Sequence, residues 1–125
     1  MEVDTMDKNI FSGDRGAGDN KAHRIAFKMQ LQKGFEIEYK NRHDALWPEL
    51  TAVLKEAGIG DYSIFLEENS GGLFGVMKIE DPAALEDLAA HPVMKKWWAS
   101  MKDIMVTQAD HSPVSIPLKE VFHLP

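Results

Sequence analysis

Residues 23–125 predict an α+β domain in which helices cover one face of a single antiparallel sheet. Three observations carry that expectation. Period-two alternation of apolar and polar residues recurs in four short stretches; helical spacing fills two intervals between them; and the order is strand, helix, strand, strand, helix, strand. That order is the split βαβ, or ferredoxin-like, arrangement, with both helices on the same side of the sheet.

Each element has its own signature. In RIAFKMQLQ, Ile25, Phe27, Met29 and Leu31 alternate with Ala26, Lys28 and Gln30, and Gly34 then breaks the run. From Phe35 the apolar positions fall at 35, 39, 46, 47, 50, 53, 54 and 57, which predicts one helix closed by Gly58 and Gly60. DYSIFL predicts a strand with Tyr62, Ile64 and Leu66 on one face. NSGG predicts a turn and LFGVMKIE the returning strand of a hairpin. In DPAALEDLAAHP, Asp81 is the expected helix cap and Pro82 the first helical residue, while His91-Pro92 interrupts the helix. VMKKWWASMKDIM resumes it with a stripe of Met94, Trp97, Met101, Ile104 and Met105. TQADHSP is a loop, and VSIPLKEVFHLP alternates again, with Pro117 pointing to an edge position or a bulge.

Composition narrows the function. The chain has 125 residues, 44% of them hydrophobic, enough for one compact core but with little margin, so self-association is an expected source of further burial. The open face of a sheet covered on one side only would need such a partner. A net charge of −6 argues against nucleic acid and anionic membranes, which require a basic face. The absence of cysteine excludes disulfides, thiolate metal sites and a cysteine nucleophile, and fits a cytoplasmic protein. Residues 1–22 carry five acidic residues against three basic ones, with glycines at 13, 16 and 18 and little apolar content. They are expected to form a disordered extension to a single domain over 23–125.

The chemistry-bearing segment is EYKNRHDALWPEL. Tyr39 and His43 are four residues apart, hence neighbours on one helix face, on the stripe of Phe35, Trp47, Leu50 and Leu54. From spacing alone a hydrogen-bonded core pair is the simpler reading. The sharper one is a pocket wall, with His43 a general acid or base and Tyr39 orienting a polar ligand. Trp97 and Trp98 point about 100° apart on a helix, so one packs inward while the other faces a cavity, an interface or the surface. Histidine spacing gives little support for a metal, and SGGLFG lies between strands, where a phosphate loop would have to precede a helix.

Five segments in register, AFKMQL, EYKNRHDALWPEL, DYSIFL, KKWWASMKDIM and HSPVSIPLKEVFHLP, are similar to the L-rhamnose mutarotase family over residues 23–125. The resemblance implies a ferredoxin-like homodimer, a dimeric α+β barrel, that interconverts the α and β anomers of L-rhamnose or a similar 6-deoxy sugar without a cofactor. It implies His43 as proton donor, with Tyr39, Tyr62, Trp97 and Trp98 contacting the sugar. Three positions depart from the family pattern: Asp44 and His111 stand where asparagine is common, and Phe65 replaces a frequent tyrosine. A non-catalytic sugar-binding module and a small dimeric oxygenase on the same fold are the alternatives.

Overall fold

The computed structural model describes residues 22–125; the expected extension therefore lies, apart from Ala22, outside the described residues. Four strands, β1 (His23–Gln30), β2 (Ile59–Glu67), β3 (Gly72–Ile79) and β4 (Ile116–Leu118), form one antiparallel sheet in the order β2-β3-β1-β4. This is the ferredoxin-like topology expected from the element order. Pro117 falls on the edge strand, where a residue without an N–H costs the ladder least.

Each of the two helical intervals is a pair of helices. The first comprises α1 (Glu36–Asp44) and α2 (Pro48–Glu56), the second α3 (Ala84–Ala90) and α4 (Pro92–Met101). The single helix expected from 35 to 57 is thus a misreading. Pro48 cannot continue a hydrogen-bonded turn, and it holds Trp47 extended at ψ 132°, so the chain turns between Asp44 and Pro48. His91 ahead of Pro92 has nearly the same conformation, ψ 133°, and its Nδ1 accepts the Val93 N–H at 3.1 Å as the cap of α4. Asp81 caps differently from expectation. Its carboxylate accepts the Ala83 N–H at 3.0 Å within a turn that also contains Pro82, and regular helix begins only at Ala84. α2 ends as expected on Gly58, whose φ of +83° a side chain would resist.

Alternation sorts the strands as predicted. Ile25, Phe27 and Met29 of β1 pair with Met77, Gly75 and Leu73 of β3 on the helix-covered face. The core there gathers Met29, Leu31, Leu50, Leu73, Met94, Trp97, Met101, Ile104 and Met105, with a second cluster of Ile59, Met77 and Ile79. Phe27 packs against both clusters. Ile104 and Met105 are buried from the turn that follows α4, so the stripe outlives the helix. On the opposite face Phe65 is 62% exposed and Ile116 55% exposed. The last alternation expected over 114–125 pairs only at Ile116–Leu118; beyond it Val121, Phe122 and Leu124 stand out from the sheet.

His111 adopts φ +74°, the left-handed region that asparagine tolerates better than most residues. The departure expected there from the resemblance, histidine in place of asparagine, therefore falls on a position with a backbone preference. His111→Asn is expected to raise stability by about 0.5 kcal/mol, a fraction of the cost of a left-handed non-glycine residue. Thermal denaturation of the two proteins side by side checks the sign.

Candidate active site

α1 presents Tyr39 and His43 toward the core side of the sheet but contains no fully buried residue, so both rings are half-buried. The two are stacked, with centroids 4.2 Å apart at 30°. His43 Nδ1 lies 3.0 Å from the Tyr39 carbonyl oxygen. A carbonyl only accepts, so Nδ1 carries the hydrogen and Nε2 is the free position of the neutral ring. Burial pushes the imidazole pKa below its ordinary value, against opposing contributions from the Tyr39 carbonyl and Asp44. The resting ring is accordingly neutral at pH 7, with Nε2 ready to take a proton.

α4 supplies the next wall. Trp97 is buried and meets His43 edge-to-face at 5.3 Å and 89°, and it meets Trp47 in the same way at 5.2 Å. Trp47 thus reaches the site, although not along the helical stripe assigned to it, because the break at Pro48 places it in the connection. Trp98, the neighbour that cannot share Trp97's direction, is half-buried against the rim of the core.

Tyr62 arrives from the sheet. The pairing of β2 with β3 shifts between Gly60 and Ser63, and Asp61 there has φ +46°; this bulge puts two residues where the ladder has room for one. Tyr62 then faces the helices and packs edge-on against Phe27 at 6.2 Å. The Phe27 ring fits only because position 75 is glycine, where a Cβ would stand 2.5 Å from Phe27 Cζ. The residue keeps 37% of its surface accessible, and partial burial pushes the Tyr62 pKa up to about 12. Tyr39 is raised further, first by burial and then by the nearby Tyr62. Both phenols therefore remain O–H donors throughout the neutral range.

Tyr39, His43 and Trp97 thus form one contiguous set, while Tyr62 makes its ring contact with Phe27 and lies near enough to Tyr39 to help raise its pKa. Trp98 joins it only as the next residue of α4. A shallow depression of about 260 Å³ borders Trp97 and is lined by Arg42, Ala45, Trp47 and Ser100, without Tyr39, His43 or Tyr62. Among the described residues no three histidines or carboxylates gather to hold a metal ion, and no helix is long and apolar enough to cross a membrane. Phe27, Gly75 and Trp47 are site-shaping residues that periodicity marks only as core or turn.

Comparison with known proteins points in one direction. A family model, L-rhamnose mutarotase, matches residues 24–124. The L-rhamnose mutarotase of Sinorhizobium fredii is 57% identical over 101 residues, covering 81% of this chain and 97% of that protein. The crystal structure of an L-rhamnose mutarotase from Formosa agariphila superposes with a TM-score of 0.78 at 50% identity, covering 82% of this chain and 99% of that one. A conserved protein from Methanosarcina mazei, at 20% identity and a TM-score of 0.55 over 79% of this chain and 92% of its own, shares the fold alone.

Proposed function

The chain belongs to the L-rhamnose mutarotase family, and from that membership we propose that it interconverts the α and β anomers of L-rhamnose, an isomerase reaction with His43 as proton donor. The observation that supports this most is the state of His43: half-buried, its Nδ1 engaged by the Tyr39 carbonyl, Nε2 free and the pKa lowered.

Mutarotation moves one proton between two oxygens bonded to the same carbon, so one ring nitrogen can serve both. His43 Nε2 takes the proton of the anomeric hydroxyl as the C1–O bond to the ring oxygen breaks. The imidazolium so formed donates that proton to the departing ring oxygen, leaving the open-chain aldehyde and neutral His43. Rotation of the aldehyde and the same steps in reverse close the ring on either face. Tyr39 and Tyr62, kept as phenols, supply O–H donors to the sugar's oxygens. Trp97 and Trp98 offer aromatic faces to its C–H surface and 6-methyl group. The proton balance closes on these side chains with no cofactor.

Saturation-transfer NMR on L-rhamnose at anomeric equilibrium tests the activity directly. Exchange between the two anomeric signals should quicken on adding protein and scale with its concentration. Anomer exchange no faster than in buffer would overturn the reading.

The same proposal includes a homodimer in the cytoplasm. The dimer's support is the open sheet face, where Phe65, Ile116 and Leu118 are exposed beside half-buried Phe74 and Val76, together with the apolar tail at Val121, Phe122 and Leu124. Sedimentation at micromolar concentration should give twice the 14.1 kDa chain mass. Removal of residues 1–22 should leave that mass ratio and the exchange rate unchanged, the expectation for a self-sufficient domain over 23–125. A monomer would remove the dimer from the proposal.

A further inference from the structure

Arg42 stands next to His43 on α1 and reaches the same partner element. Its Nη1 and Nη2 donate to the two Asp103 carboxylate oxygens at 2.9 and 3.1 Å, a two-pronged pair. Nη1 also donates to the Ser100 carbonyl at 2.9 Å, and Nε donates to Glu38 at 2.7 Å. Ser100 lies in the last turn of α4, where carbonyls lack intrahelical partners, so Arg42 caps that helix from outside. The Ser100 hydroxyl in turn donates to the Trp97 carbonyl at 2.6 Å.

Two adjacent residues of α1 therefore grip α4 and the turn that follows it, His43 at Trp97, and Arg42 at Ser100 one turn on and at Asp103 beyond the helix end. α1 buries no residue completely, so core packing alone restrains its rotation only weakly. Single exposed ion pairs contribute little, but a fork-shaped pair joined to a helix-end carbonyl is the arrangement in which a guanidinium also fixes geometry. Lysine, a point charge without the fork, cannot reproduce it.

We propose that Arg42, held by Asp103 and the Ser100 carbonyl, is a positioning residue that sets the rotation of α1 and hence the placement of His43 against Trp97. The proposal rests on the reading of His43 as the proton carrier. It concerns geometry, however, and can be followed without any sugar. An edge-to-face contact displaces the ring-proton resonances of His43, so the ligand-free protein reports on it by NMR.

The test compares wild type with Arg42→Met, Arg42→Lys, Asp103→Asn and the Arg42→Met/Asp103→Asn double variant, each confirmed folded. In Arg42→Met the His43 ring resonances should move toward those of a free imidazole. The kcat for anomer exchange should fall about tenfold with a smaller change in KM, the size expected when a reacting group is displaced by a fraction of an ångström. Arg42→Lys should restore only part of the rate, and Asp103→Asn should lower it. The double variant should be little worse than Arg42→Met, since both changes break one clamp. Unchanged His43 resonances and kcat in folded Arg42→Met would overturn the proposal, as would a loss of thermal stability with kcat intact. If the wild-type protein exchanged no anomers, the functional reading would fall, while the resonance comparison would still decide the clamp.

Discussion

His43→Gln is expected to slow L-rhamnose anomer exchange by about 10²–10⁴-fold, the usual worth of a positioned proton-transfer group. Glutamine keeps a polar side chain of similar reach but cannot take up and release a proton at neutral pH. Sugar binding should therefore survive, and titration calorimetry separates it from the rate. The pH profile sharpens the test. Burial lowers the His43 pKa, and the neutral ring starts the cycle, so wild-type exchange should decline as pH falls below the ordinary imidazole value of 6.5. A rate that rose toward acid would instead make the imidazolium the starting form. Stability moves in the same direction. The unfolded chain binds the proton at higher pH than the folded one, so the contribution of His43 is complete above about 6.5 and is lost as pH falls toward the lower folded value. His43→Gln should remove this part of the acid sensitivity along with the activity limb.

Trp97→Ala should have the largest effect on stability. The ring is buried in the main core cluster and touches both His43 and Trp47, so truncation leaves a cavity where three aromatic rings meet. A loss of about 3–5 kcal/mol is expected for a buried tryptophan, out of the roughly 5–15 kcal/mol that holds a domain of this kind. Chemical denaturation measures it. Trp98→Ala is the contrast. Its half-buried ring can leave the fold at lower cost, and its removal should weaken L-rhamnose binding by about 1–3 kcal/mol if it stacks on the sugar. Similar destabilisation in both variants, with no change in binding in Trp98→Ala, would assign both tryptophans to packing.

Much of this arrangement was legible in the sequence because strands with one buried face announce themselves by alternation. Ile25, Phe27 and Met29 face the helices, and Ile64 and Leu66 pair with Gly75 and Leu73 on that same face. The helical layer was harder. Apolar spacing from Phe35 to Ala57 runs across Pro48 without a visible fault, whereas His91-Pro92 reads as a break. The spacing persists because Leu46 and Trp47 pack against the core from the connection between α1 and α2. At the site, Tyr39 and His43 are close in sequence and their stacking follows from helical geometry. The pairing of Arg42 with Asp103, 61 positions apart, leaves no trace beyond the neighbouring Glu38–Arg42 spacing. The bulge at Asp61 follows directly on Gly60, which the spacing marks only as part of a helix end.

The four helices contain 9, 9, 7 and 10 residues. All are shorter than the roughly 12–15 residues at which an isolated helix becomes even marginal in water. None can therefore persist detached from the sheet, and α1, which like α3 has no fully buried side chain, has little core packing to keep it wound. In hydrogen exchange its amides should be released by local opening well before those of β1 and β3, whose ladders run through the core. The segment that carries His43 is thus less protected than the strands it packs against. A sugar seated against Tyr39 and His43 would close that opening, so occupancy would be read as slowed amide exchange along Glu36–Asp44.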